Sequence, residues 1–535
     1  MAPNTAADLG PNRLGGLDVP ELQHGKRWWF QDPGLRKLYF LIFIAILSSA
    51  TNGYDGSMMN GLQALTYWKT YFNNPSGSRQ GLLNAIQSVG SVCSLPIAPN
   101  LADWIGRKYS IFIGSLVVAI GAGLQSGATD TGMFIAGRFF IGLGSGINGI
   151  ASPLLITELA HPKERGKITA TYNTFYYFGS TIAAWTTYGT LQIPSNWSWR
   201  LPSLLQVAPS AFQLSFLWLL PESPRFLISK DRQDEAMGVM AKYHANGNIH
   251  DEVIMFEFAE IKEALKEEKI NSKGRYMDLI NTPGNRRRLF ICLCCGFFSQ
   301  MSGTSLTGYY LSKILTDVGI TDPQFQNRLN GIIGTTNWIE AICFALLVDR
   351  VGRRPLFLTS ASGMCCTFAT WIALTAVQNR IGASGPGKGV IVIIFFHNFF
   401  YNLCWHVTVS LNVAYPCEIL PYRLRANGLM VQSLATNVML FFNQYVNPIG
   451  IQHASWRYYF LFEATLLLQL VTVYFFFIET KGATLEEISR TFDGEDAVKE
   501  MKVRALATEK VDMVEQVEYL NNKGRNTSNF GQPEL

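Results

Sequence analysis

Residues 38–62, from Leu38 to Leu62, read LYFLIFIAILSSATNGYDGSMMNGL. Leu38 to Leu47 is almost wholly apolar. The run then dissolves into Ser48, Ser49, Thr51, Asn52 and Asp55 before apolar character returns at Met58 and Met59. A soluble chain has little use for this pattern. A membrane helix with one carboxylate turned to an internal aqueous cavity requires it. An ionisable group at bilayer depth costs roughly 2.5–3.5 kcal/mol on insertion scales, so it faces a cavity or a partner and marks an ion or substrate path. The plainer alternative places Asp55 just beyond the membrane as a helix-end acid.

The whole chain fits the membrane reading. Only 16% of its 535 residues are charged, well below the ~25% of soluble domains. Repeated long apolar segments make it a polytopic all-α membrane protein embedded in a lipid bilayer. The net charge of +5 does not point to nucleic acid, because the basic residues fall in alternating loops. The nine cysteines lie in or at the ends of apolar segments, without metal-ligand or disulfide-framework spacing. They read as buried free thiols. The polar lead to residue 37 is expected to be a disordered cytoplasmic tail, with no cleavable signal peptide.

Twelve spans are expected at 38–58, 81–100, 109–128, 133–154, 168–189, 203–220, 289–311, 329–348, 355–376, 389–412, 427–447 and 457–478. They form an N-terminal six-helix half (38–220) and a C-terminal six-helix half (289–478). A polar linker (221–288), with a charge-laced helix over Glu257–Lys269, separates them, and a polar tail (479–535) follows. The side that holds both termini and the even-to-odd connections carries 35 of the 44 Lys and Arg residues. By the positive-inside rule that side is the cytoplasm. Asn196-Trp197-Ser198 then lies in an outer loop as a glycosylation candidate, whereas Asn526-Thr527-Ser528 lies on the wrong side.

The halves repeat. Asp103-x-x-Gly106-Arg107-Lys108 after span 2 matches Asp349-x-x-Gly352-Arg353-Arg354 after span 8. Glu158 with Arg165 after span 4 matches Glu418 with Arg425 after span 10. Pro221-Glu222-Ser223 after span 6 matches Glu479-Thr480-Lys481-Gly482 after span 12. The offsets are 246, 260 and 257 residues. Such ordered correspondence indicates a parallel duplication with a site at midplane between the halves. The arginines can make bidentate bonds to Glu158 and Glu418. We read Asp103, Arg107, Glu158, Arg165, Asp349, Arg353, Glu418 and Arg425 as a cytoplasmic latch, with topology-setting charge as the plainer alternative.

These motifs, with Gly137-Arg138-Phe139 and Pro221-Glu222-Ser223-Pro224-Arg225-Phe226-Leu227, resemble the sugar-porter family of the major facilitator superfamily over residue 35 to about 490. The stretches Gly53-Tyr54-Asp55-Gly56-Ser57-Met58-Met59-Asn60-Gly61 and Tyr422-Arg423-Leu424-Arg425-Ala426-Asn427-Gly428 resemble fungal members. Ser299-Gln300-Met301-Ser302-Gly303 with Tyr309-Tyr310 resembles the lactose-permease-like branch. The resemblance implies the major facilitator fold and proton coupling through Asp55 on span 1 and Arg138 on span 4. A static ion pair is the plainer reading. It further implies sugar contacts from Asn173, Gln300 and Asn337.

The chain departs from the monosaccharide pattern at Ser299, Ser305 and Val413. These changes enlarge the pocket and suit a disaccharide. Asn398, Asn402 and Trp405 at i, i+4, i+7 on span 10 would share a face. With Tyr309, Tyr310 and Glu340 they are further candidates to line the cavity, or else helix-to-helix polar glue. His397 and His406 read as structural.

The expected function is a proton-coupled importer of a lactose-like disaccharide or related sugar, working as a monomer in the plasma membrane. It is not an enzyme. No nucleotide loop, catalytic triad or metal cluster appears in the sequence, and no cofactor is expected. Transport of a non-sugar metabolite or polyol is the alternative, and a non-transporting sugar sensor is a further one.

Overall fold

A computed structural model describes residues 13–14, 17–18, 29–162, 164–270, 276–381, 384–405, 411–483 and 487–494. His406 and Asn526 lie outside the described residues, as do most of the two tails and the side chain of Asp349. Apart from a two-residue strand pairing at Arg13–Leu14 and Leu17–Asp18, the described elements are helices.

The N-terminal half contains span 1 (Pro33–Leu62), span 2 (Gly77–Ser94 and Ala98–Ile105), span 3 (Arg107–Ser126) and span 4 (Thr131–Leu159). Span 5 (Arg165–Thr190) and span 6 (Trp197–Leu205 and Val207–Phe216) complete it. The C-terminal half contains span 7 (Pro283–Gln300 and Thr304–Asp317), span 8 (Pro323–Val351) and span 9 (Arg353–Ile381). Span 10 (Ser384–Cys404 and Leu411–Ile419), span 11 (Tyr422–Ala454) and span 12 (Tyr459–Phe476) follow. The apolar stretch Leu424–Phe476 has 53 residues. As one helix it would be ~80 Å long, far beyond a ~30 Å hydrocarbon core. The chain therefore turns at Ser455, whose φ is +49°.

Several spans begin earlier than their apolar runs. Asp32 accepts the N–H groups of Gly34 and Leu35, with Pro33 at the first helical position. Thr282 and Asp322 cap spans 7 and 8 ahead of Pro283 and Pro323 in the same way. The cap sets the helix start. Hydropathy marks only the part within lipid, so expected starts at 38, 289 and 329 fell five or six residues late. In the linker, helices at Gln233–His244 and Glu252–Ile270 replace the shorter expected one.

The three repeated motifs converge on two equivalent knots. Arg107 Nε and Nη2 donate to Glu158 at 3.0 and 3.3 Å, and Ser223 Oγ donates to the same carboxylate at 2.5 Å. Arg353 likewise reaches Glu418 at 3.1 Å, with Thr480 Oγ1 on that carboxylate. Glu222 accepts the N–H groups of Arg107 and Lys108, which open span 3. Glu479 accepts those of Arg353 and Arg354, which open span 9. A carboxylate at a helix N-terminus satisfies orphan donors and faces the positive end of the dipole.

The two caps differ electrostatically. Burial dominates at Glu222 and raises its carboxyl above the ordinary value, against N–H bonds from Ser223, Lys108 and Arg107. Burial also pushes Glu479 up, but N–H bonds from Arg353, Lys481, Arg354 and Thr480 outweigh it, and the carboxyl lies below its ordinary value.

Gly106 and Gly352 turn the chain into these caps at φ +103° and +108°. A Cβ at Gly106 would sit 2.4 Å from Glu222 Oε2, whereas one at Gly352 would sit 3.1 Å from Glu479 Oε2. Both alanine substitutions carry the penalty of about 1–3 kcal/mol for a side chain in this extended, positive-φ region that glycine alone occupies readily. Only Gly106→Ala must also displace the capping carboxylate. We expect Gly106→Ala to lower the thermal unfolding temperature of the purified protein clearly more than Gly352→Ala. Equal shifts would show that the Glu222 cap is not held tightly.

Spans 2 and 11 pair across the two halves, as do spans 5 and 8. The ends of the helices away from the linker are zipped by buried amides. Asn60 Nδ2 donates to Thr307 O and to Asn330 Oδ1, and Gln63 Nε2 donates to Tyr309 O. Asn84 Nδ2 donates to the Tyr310 hydroxyl, and Ser88 Oγ donates to Gln444.

Candidate functional site

Glycines bring span 5 against span 1. A Cβ at Gly53 would lie 1.8 Å from Tyr176 O, and one at Gly179 would lie 2.0 Å from Ala50 O. Close backbone approach through small residues is the usual packing device in lipid. It places Asp55 inside the N-terminal half with no exposure. The alternative of a helix-end acid in water therefore does not hold.

Arg138 Nη1 and Nη2 donate to the two Asp55 oxygens at 3.2 and 3.3 Å. Gln206 Nε2 donates to Asp55 Oδ1 at 2.9 Å, and Arg138 Nη2 reaches Gln87 Oε1 at 3.5 Å. Arg138 Nε has no partner among the described residues. The pair is paid for partly by these extra amide bonds, since Coulomb attraction alone does not reliably offset burial of two charges. The hydroxyls of Tyr176 and Tyr309 come within 3.3 and 3.9 Å of a Cβ placed on Gly56, one residue from Asp55. The acid thus borders the tyrosines that line the space between halves.

A second, net-uncompensated polar cluster crosses that space. Tyr177 on span 5 donates its hydroxyl to Asn402 Oδ1 on span 10. Asn402 Nδ2 donates to Asn337 Oδ1 at 3.0 Å and to Glu340 Oε2 at 2.8 Å, both on span 8. Asn402 is buried and its amide is fully engaged. Asn173 lies one turn before Tyr177 on the same face of span 5 and is half-buried.

Span 7 breaks at Met301-Ser302-Gly303, with Gly303 at φ +85°. The break frees four carbonyls, and each is answered from another span. Tyr401 Oη donates to Ser299 O at 2.9 Å, Asn443 Nδ2 to Gln300 O at 2.7 Å, and Thr465 Oγ1 to Met301 O at 2.7 Å. His397 Nε2 lies 3.1 Å from Ser302 O. Non-helical backbone survives at membrane depth only when so satisfied. The Gln300 side chain, half-buried, sits at this break.

Other expected residues fall elsewhere. Trp405 is fully buried against Phe298, Phe357 and Phe477 in the C-terminal core, not with Asn398 and Asn402. The helical face ends because the helix stops at Cys404. Tyr310 joins the amide zip between the halves through Asn84 and the Gln444 carbonyl, while Tyr309 stays beside Asp55. Arg107 also lies 3.3 Å from Asp103, and the knot bonds of Arg107 and Arg353 each stay within one half. Arg165 is half-exposed and lies 4.0 Å from Glu257 of the linker instead of joining Glu158. Arg425 is half-buried on the first turn of span 11. Asn196 is exposed at the start of the first helix of span 6.

Comparison with known proteins decides the family. A model described as "Sugar (and other) transporter" matches residues 41–492. The chain belongs to this transporter family. An "MFS-type transporter criB" of Aspergillus cristatus is 30% identical over 85% of this chain and 93% of that protein. A "High-affinity glucose transporter" of Kluyveromyces lactis is 26% identical over 89% and 88%. "Sugar transporter STL1" of Saccharomyces cerevisiae is 27% identical over 91% and 85%. In fold, the xylose transporter XylE from E. coli, solved in an inward-open conformation, matches with a TM-score of 0.70 at 22% identity. It covers 85% of this chain and all of that one.

As a sugar-transporter family member the chain is a multi-pass major facilitator, not an enzyme. Among the site residues missed from the sequence of this transporter are Gln206 and Tyr177. Gln206 interrupts an apolar run four residues after Pro202, a polar break that could have been read. Tyr177 sits among Tyr176, Phe175 and Phe178, and nothing in that aromatic run singles it out.

Proposed function

We propose that this transporter imports a sugar together with a proton, by alternating access about the Asp55–Arg138 pair. The buried pair carries the reading. It is sealed from water, borders Tyr176 and Tyr309, and lies in the half facing the Tyr177–Asn402–Asn337–Glu340 cluster. With Asp55 ionised, Arg138 is neutralised and spans 1 and 4 are tied. A proton on Asp55 removes one charge and loosens that tie. Proton and solute then bias one two-state element, which is what coupling requires. The glucose and sugar transporters among its relatives support a sugar as solute. The zipped outer ends support an inward-facing state for this structure.

The amides of Asn173, Gln300 and Asn337, with Tyr309 and Glu340, would exchange hydrogen bonds with sugar hydroxyls, and Asn402 would hold Asn337 and Glu340 in position for them. Short residues at Ser299, Ser305 and Val413 favour a disaccharide such as lactose over glucose. The same departures support a second reading, a polyol or other non-sugar metabolite. The proposal extends to cytoplasmic termini, a glycan on outer Asn196, and residence in the plasma membrane as a monomer.

Uptake of labelled lactose, cellobiose, glucose, xylose and glycerol into cells lacking their own carriers tests this. Accumulation of at least one sugar above its external concentration, abolished by a protonophore, is the expected result. Undiminished accumulation without a proton gradient would overturn coupling, and uptake of glycerol alone would favour the second reading.

A further inference from the structure

Two clefts, each of about 470 Å³, lie outside the site between the halves, adjoin at the cytoplasmic end of span 1 and share Lys37, Lys242 and Tyr243. Their walls come from span 1, the end of span 6 and the linker helix Gln233–His244. Asn246 fixes this arrangement by accepting the Gly34 N–H at 2.9 Å and donating to Asp32 Oδ2 at 3.1 Å.

The chemistry of the groove is graded along the membrane normal. At its polar end stand Arg36, Lys37 and Lys242, all exposed. Among the described residues none of the three is paired with a carboxylate. The nearby acid, Asp32, is occupied in capping span 1 and holding Asn246. One helical turn deeper the lining becomes Phe40, Leu41 and Leu219. Phe40 is 71% and Leu219 is 60% exposed. Three cations with no paired carboxylate, above an apolar slot, match an amphiphile with an anionic head. A free anion would leave the apolar part without a function, and a neutral lipid would leave the cations without one. Basic pockets beside membrane helices on the cytoplasmic side suit anionic headgroups, which are concentrated in that leaflet.

We propose that this groove binds one anionic phospholipid of the cytoplasmic leaflet. Its headgroup sits on Arg36, Lys37 and Lys242, and an acyl chain lies along Phe40, Leu41 and Leu219. Because the same lipid would touch span 1, span 6 and the linker, its binding ties the linker to the half that contains Asp55.

Native mass spectrometry of the full chain, released from micelles with added palmitoyl-oleoyl phosphatidylserine or phosphatidylcholine, tests the proposal. Each cation near an anionic surface contributes about a five-fold factor, so three contribute about a hundred-fold. We expect phosphatidylserine to bind at least ten-fold tighter than phosphatidylcholine. The Arg36→Gln/Lys37→Gln/Lys242→Gln variant is expected to lose that preference, and Arg36→Lys/Lys37→Arg/Lys242→Arg to keep it. Phe40→Gln, which leaves every cation in place, is expected to weaken binding of phosphatidylserine. Equal binding of the two lipids by the unaltered protein would overturn the proposal. So would a preference retained by the triple glutamine variant. Displacement of phosphatidylserine by millimolar inorganic phosphate would also overturn it, by showing a site for free anions.

Discussion

Asp55→Asn is expected to bring concentrative uptake down to simple equilibration, a loss of accumulation of at least about ten-fold, while downhill exchange continues. The substitution keeps the shape and the acceptor for Gln206 but removes the titrating charge. Arg138, fully buried, then lacks its counter-ion. Removing one member of a buried pair destabilises by about 3–5 kcal/mol, whereas removing both can be nearly neutral. Asp55→Asn/Arg138→Gln is therefore expected to unfold at a higher temperature than Asp55→Asn alone, yet still not to accumulate solute. Counterflow in proteoliposomes with and without a pH gradient, together with thermal unfolding, measures both effects. Accumulation by the double variant would remove Asp55 from the coupling step.

Substitution at Asn402 is expected to have the second largest effect. One amide there serves three partners: it accepts from Tyr177 and donates to Asn337 and Glu340. Asn402→Leu leaves a half-buried carboxylate without its donor. Hydrogen bonds to charged groups are worth about 1.5–3 kcal/mol each. We expect a ten- to hundred-fold loss in apparent affinity for the transported solute. Asn402→Asp is expected to be worse at neutral pH and partly restored in mild acid, because it sets a second carboxylate 2.8 Å from where Glu340 Oε2 lies. Initial uptake rates between pH 5 and 7.5 separate the cases. Asn402→Asp activity independent of pH would mean that Glu340 does not face position 402 in the working protein.

The fold was largely legible because lipid imposes simple rules. Apolar length marks the spans, and Gly106 and Gly352 mark turns that need positive φ. Asp55 was also legible, as a costly charge in apolar surroundings, whereas its pairing with Arg138 came from the resemblance to sugar porters. The polar cluster was only partly so. Asn402 and Glu340 stood out as polar residues in apolar helices, and Asn337 came from the resemblance to sugar porters. Tyr177 did not, because a tyrosine in an aromatic run looks the same whether its hydroxyl meets lipid headgroups or an asparagine. Trp405 was misplaced because periodicity was carried past the end of a helix at Cys404.

The sequence by itself determined the class, the repeat and Asp55 as an acid at membrane depth, since hydropathy, spacing and the cost of a charge in hydrocarbon are local properties of the chain. Only the tertiary structure decided that the repeated motifs tie within each half, that Gln206 completes the shell of Asp55, and that Asn402 joins spans 5, 8 and 10. Those outcomes depend on which helix faces meet, and interhelical hydrogen bonds in lipid are made by whichever polar groups packing brings together.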